Sequence, residues 1–179
     1  MYTFISQSVE GYRTYKEKTE IPLVDQGTVW LLGTNLDSKK GSNGSGKSSL
    51  LLSIPRNLYG LLTDDDMHGK SNCILTTEYI YKKKTYKIYQ FRKLTKDRKE
   101  KFIQELKDSG VTNLKTDKDS FKNSGYKIII NNKDVSKHGI PDCRKQIKDI
   151  FRITEDEFFG YVFVSPNKTN ALINGTSPE

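Results

Sequence analysis

Gly41-Ser42-Asn43-Gly44-Ser45-Gly46-Lys47-Ser48-Ser49 decides how this chain is read. The stretch satisfies the phosphate-loop pattern GxxxxGKS and runs directly into the apolar Leu50-Leu51-Leu52-Ser53-Ile54, which reads as a helix. Glycines allow the tight turn in which successive backbone N–H groups point at phosphate oxygens, and the helix that follows adds the positive end of its dipole. Lys47 is the expected catalytic residue, its ammonium reaching β and γ oxygens, and Ser48 is the expected magnesium ligand. Gly41, Asn43, Gly44, Ser45, Gly46 and Ser49 complete the predicted cradle. The cofactors this motif predicts are ATP and magnesium. A Gly/Ser-rich surface loop matching by chance would lack the flanking elements, whereas here the apolar run Val29-Trp30-Leu31-Leu32-Gly33 precedes the loop. That run has the pattern of a strand buried on both faces of a parallel or mixed sheet.

The 179 residues, 34% of them hydrophobic, are enough for one ordinary domain over 1–179 and too few for two. A net charge of +8 favours a polyanionic partner such as DNA. No apolar run approaches the roughly 20 residues that cross a bilayer, and the N-terminus lacks the basic region of a secretion signal. No membrane partner is expected, and the expected location is the cytoplasm, that of a host cell if the gene is carried by a phage. Cys73 and Cys143 are far apart, without a CxxC or histidine cluster, so reduced core thiols are expected rather than a metal site.

Outward from the loop, alternation predicts two antiparallel strands over 2–9 and 18–23, with Arg13 in the turn between them. Pro55 is expected to break or kink the loop helix near Ile54, with Leu51, Leu52 and Leu58 on its apolar side. Asp64-Asp65-Asp66 reads as a solvated loop, because consecutive carboxylates diverge. Two β-rich runs, 73–81 and 84–92, flank Lys82-Lys83 and predict a hairpin. Lys82, Lys83 and Lys84 among tyrosines suit contact with DNA; the alternative is a half-exposed sheet whose lysines discourage edge pairing. Residues 93–125 read as a surface insertion containing one amphipathic helix, with Gly110 as its stop. A strand over 126–130, a helix opened by Pro141, a capping box at Thr154-Glu155-Asp156-Glu157 and a buried strand over 161–164 complete the pattern.

This order of elements resembles the N-terminal half of the ATPase head of SMC-like DNA-repair proteins, of the SbcC type and its tailed-phage relatives. The local matches are Gly11-Tyr12-Arg13-Thr14-Tyr15, the Gly33, Asn35 and Asp37 stretch before the loop, Leu58-Tyr59-Gly60, and Ile153-Thr154-Glu155-Asp156-Glu157-Phe158. The resemblance implies an α/β P-loop NTPase fold, the lobe of an ABC-class head with a mixed β-sheet and an inserted hairpin and helix region. It implies that Arg13 approaches the nucleotide. It also implies the partners of such an ATPase: the C-terminal half of the head in cis or in trans, a second head, a nuclease subunit and DNA undergoing double-strand-break processing or recombination.

Several family features are absent. Ser165-Pro166-Asn167-Lys168 stands where a magnesium-sensing Gln is usual, and neither an apolar strand ending in Asp-Glu nor an LSGG-type signature occurs. Phosphoryl transfer depends on positioning and charge stabilisation, so the chain alone is expected to hydrolyse ATP little, if at all. Two other readings are a self-contained P-loop kinase or NTPase, with Arg92, Arg98 and Arg144 as candidate lid arginines, and a non-catalytic DNA-binding or regulatory module.

Overall fold

The computed structural model describes residues 1–25, 45–116 and 121–159. Two of the predicted strands, over 29–33 and 161–164, lie outside them, as do the seven residues before the loop.

The hairpin predicted around Lys82-Lys83 forms the middle of the sheet. Strands β3 (Cys73–Tyr81) and β4 (Lys84–Arg92) pair along their full length, from Cys73 opposite Arg92 to Tyr81 opposite Lys84. Lys82 and Lys83 both have positive φ, 48° and 62°, as a two-residue hairpin turn matched to the strand twist requires. β1 (Tyr2–Glu10) pairs with β3 and with β2 (Thr19–Pro22), while β5 (Gly125–Ile130) pairs with β4 and with β6 (Lys133–Asp134). The order is β2-β1-β3-β4-β5-β6.

Every pairing between the six described strands is antiparallel, which corrects the expected fold class. Six antiparallel strands and four helices are not the mixed sheet of a P-loop NTPase head, nor is the hairpin an insertion into one. The physical reason is local. β3 and β4 are joined by two residues, and β5 and β6 by Asn131-Asn132, connections too short for the crossover that parallel neighbours need. The strands also alternate rather than run continuously apolar: Cys73, Leu75, Thr77 and Tyr79 face one side, Ile74 the other.

Helix α1 (Lys47–Leu58) and helix α3 (Ile140–Ile150) cover one face. Ile54 and Leu58 meet Tyr79, Ile88, Ile128 and Ile147 there, and Leu50 meets Val9 and Leu75 nearer the start of α1. α1 passes through Pro55 instead of breaking at it. Leu50, Ile54 and Leu58, four residues apart, hold one buried stripe, and Leu51, whose carbonyl loses its donor to the proline, is on the exposed side of the helix at 36%. Helix α2 (Lys96–Asp108), capped by Thr95, closes the other face with Phe102 and Leu106 packed on Ile74, Phe91 and Phe121. The 93–125 stretch thus supplies one of the three layers. Arg98 fastens α2 to β1 by two bonds to the Glu10 carboxylate, 2.6 and 2.7 Å. A short turn, α4 (Glu155–Glu157), carries the predicted capping box at Thr154 and Glu157. Cys73 and Cys143 are free and buried, and burial pushes the Cys73 thiol up to about 12, as inert core thiols require.

Candidate functional site

The C-terminal end of the predicted phosphate loop is described from Ser45 onward; Gly41, Asn43 and Gly44 lie outside the described residues. Gly46 takes the N-cap position of α1 at φ 88°, a left-handed conformation that favours glycine. Lys47 and Ser48 open the helix and Ser49 follows in its first turn. The Lys47 ammonium donates to Ser45 Oγ at 2.9 Å, so the lysine side chain turns back over the loop. No acidic residue occupies the first turn. The arrangement fits a phosphate group: the cap contributes no competing side chain, the helix dipole is positive there, and a cation and hydroxyls stand beside it. Ser48, the expected magnesium ligand, occupies the second helical position.

The turn carrying Arg13 lies against this loop end. A Cβ built on Gly46 would stand 2.3 Å from Thr14 Oγ1 and 3.0 Å from the Tyr15 ring, so backbone and turn touch with no room for a side chain. Arg13, at φ 50°, is not a free turn residue. Its backbone N–H donates to the Asp66 carbonyl at 2.8 Å, and its guanidinium lies 3.3 Å from Asp66 Oδ1. His68 Nδ1 lies 2.7 Å from the Arg13 carbonyl, fixing the turn from its other side.

Asp66 is the residue the sequence reading missed. Asp64-Asp65-Asp66 forms a 3₁₀ turn rather than a solvated loop, with Thr63 as its cap, and Asp66 is 1% exposed. It accepts from Arg13, from Arg56 of α1, and from the Thr63 N–H and hydroxyl, both at 3.0 Å. Burial opposes ionisation of its carboxyl, but the Thr63 and Arg56 hydrogen bonds outweigh it and hold the pKa below the usual carboxylate range. The carboxylates do diverge as expected: Asp64 turns to Arg92 and Lys93, both at 2.7 Å. The signal available in the sequence was Thr63 three residues before Asp66, a capping-box spacing.

A second group of unforeseen residues fixes α1 on the sheet. Gln7, Ser53, Asn57 and Thr77 are fully buried and joined side chain to side chain. Gln7 donates to Ser53 Oγ at 2.8 Å, Thr77 donates to Gln7 Oε1 at 2.6 Å, and Asn57 donates to Thr77 Oγ1 at 2.8 Å and to the Ile88 carbonyl at 2.9 Å. Apolar packing would let the helix slide by a fraction of a turn, whereas directional bonds to three strands do not.

Arg92, Arg98 and Arg144 are held by Asp64, Glu10 and the Tyr59 carbonyl. Lys82, Lys83 and Lys84 stand exposed at the tip of the β3–β4 hairpin, at the opposite end of the sheet from the phosphate-loop helix start. Among the described residues no group of three His, Cys, Asp or Glu is placed to hold a metal ion, and no helix is long and apolar enough to cross a membrane. Comparison of the chain with protein-family models and with characterised proteins gave no match.

Proposed function

We propose that the chain binds ATP, with magnesium, at the start of α1, and serves as the nucleotide-binding part of an SMC-like ATPase working with a nuclease partner on broken DNA. The observation that carries the nucleotide reading is Gly46 in its left-handed N-cap conformation at the head of a 12-residue helix, followed at once by Lys47 and Ser48. Lys47 would neutralise β and γ oxygens, the first backbone N–H groups of α1 would take phosphate oxygens, and Ser48 would hold magnesium. A magnesium ion held by Ser48 would supply positive charge to offset that of the phosphates. The wider assignment rests on the sequence resemblance and on the loop, not on the architecture of the sheet.

Turnover requires a carboxylate that orients water. Asp66 is unsuited to that role, being buried and already shared by Arg13, Arg56 and Thr63. The family resemblance implies that the water-orienting carboxylate comes from another polypeptide segment and that a second head completes each site. The kinase reading is disfavoured by its own candidates, since Arg92, Arg98 and Arg144 are spent on structural partners. The test is a titration series with ATP, ADP and AMP in magnesium. Affinity falling in that order by at least tenfold overall supports the loop reading; equal affinity for AMP and ATP overturns it.

A further inference from the structure

The end of the sheet opposite the phosphate loop presents a group of exposed cations. Lys82, Lys83 and Lys84 are exposed on the hairpin tip, Arg152 is exposed beside it with its backbone N–H on the Tyr2 hydroxyl, and Lys148 lines the same cavity as Arg152. None of the five makes an ion pair among the described residues, while Lys87 and Arg92 of β4, Lys93 just after it and Arg98 of α2 are each paired with a carboxylate. Glu155 is the acidic residue lining that cavity. The turn is also costly for what it holds: two consecutive lysines at positive φ, where Asn-Gly would be easier.

The aromatic side chains here settle what kind of polyanion fits. Tyr2 and Tyr81 stack on each other, ring centroids 4.1 Å apart and 5° from parallel, Lys82 Nζ lies 5.4 Å from the Tyr81 ring centroid, and Phe151 meets Tyr2 edge-on at 4.9 Å. Their faces are already occupied, so they offer no platform on which an unpaired base could stack. What remains accessible is positive charge. We infer that this surface, Lys82 to Lys84 with Arg152 and Lys148, binds the phosphodiester backbone of duplex DNA without reading its sequence. It is separated from the phosphate loop by the length of β1, roughly 20–25 Å from Val9 to Tyr2 at strand spacing, so duplex and nucleotide occupy different ends of one sheet. The inference deepens the DNA-processing part of the proposed function and does not depend on nucleotide binding.

The test is fluorescence anisotropy with labelled duplexes of unrelated sequence across a salt series, using the full chain and the triple substitution Lys82→Asn, Lys83→Gly, Lys84→Thr. The replacement turn is the one the hairpin geometry favours, so folding is preserved; Arg152→Gln is a second variant outside the turn. The triple variant is expected to bind about tenfold or more weakly at low salt, and the slope of log K against log salt to shrink by about 2–3, since each phosphate contact contributes roughly 0.9. Arg152→Gln is expected to reduce the slope by about one contact. ATP affinity stays unchanged in both, and Lys47→Ala retains the DNA affinity, so failure here is separable from failure of the nucleotide reading. Unchanged duplex affinity and slope in the triple variant, a strong preference for single strands, or binding to phosphatidylserine vesicles in place of duplex would overturn the inference.

Discussion

Gly46 and Thr14 are packed so closely that a single added methyl group on Gly46 would come within 2.3 Å of the Thr14 hydroxyl oxygen. Two segments more than thirty residues apart thereby share one surface, the head of α1 and the turn that carries Arg13. The loop's final glycine is required twice, by its left-handed backbone and by its neighbour.

Gly46→Ala should therefore lower stability by at least about 1–2 kcal/mol from backbone strain alone, with the steric conflict added. Thermal denaturation measures it. Adding Thr14→Ala should recover the steric part and leave the backbone part; full recovery would show that φ at Gly46 contributes little.

Asp66→Asn removes a buried charge shared by two arginines. Because Arg13 and Arg56 are themselves part-exposed, the expected loss is about 1–3 kcal/mol rather than the larger cost of a fully buried pair. The pH dependence follows from the lowered pKa of Asp66. Its stabilisation is fully present above the unfolded carboxyl value of about 4 and is lost as pH falls through the lower folded value. Denaturation from pH 6 down to pH 2 should show a shallower decline in the variant than in the wild type. Asp134 contributes in the same direction: burial opposes its ionisation, but hydrogen bonds from Ser136 and Lys127 outweigh that, so some slope should persist.

Asn57 and Thr77 should be energetically coupled. In a double-mutant cycle with Asn57→Ala and Thr77→Val, each single change leaves a buried partner unsatisfied, so the double variant should be less destabilised than the sum by about 1–2 kcal/mol. Strict additivity in urea denaturation would mean that the two groups do not act together.

Phe102→Ala should cost about 3–4 kcal/mol, the ordinary value for an aromatic residue removed from a core, although it lies in a stretch that reads as peripheral. A loss below about 1 kcal/mol would mean that α2 packs loosely on the sheet.

The parts of the fold that were legible are those set by local chemistry. Alternation over 73–81 and 84–92 with two lysines between them gave both hairpin strands to the residue, and the Thr154 capping box and Pro141 marked their helices. The errors lie where long-range packing decides. Pro55 is an effective breaker in isolation, but the buried stripe through Leu50, Ile54 and Leu58 carries the helix past it. The expectation of a mixed sheet came from the continuous apolar runs at 29–33 and 161–164 and from the family resemblance, whereas the strands described pair in one antiparallel sheet. At the candidate site, the phosphate-loop spacing predicts Gly46, Lys47 and Ser48 at the start of a helix, and they stand at the head of α1. Asp66, Asn57 and Gln7 were not, since a polar residue buried by partners 10 to 70 positions away looks the same in sequence as one in water.

Isothermal titration of magnesium ATP into the wild type and into Lys47→Ala tests the central claim most directly. Loss of the ammonium should weaken binding by at least about tenfold, as expected for a charge-assisted contact to phosphate, with the melting temperature of the free protein unchanged. Equal affinity in the two proteins, or no binding of ATP to the wild type at millimolar concentration, would contradict the assignment of the Gly46-Lys47-Ser48 segment as a nucleotide site.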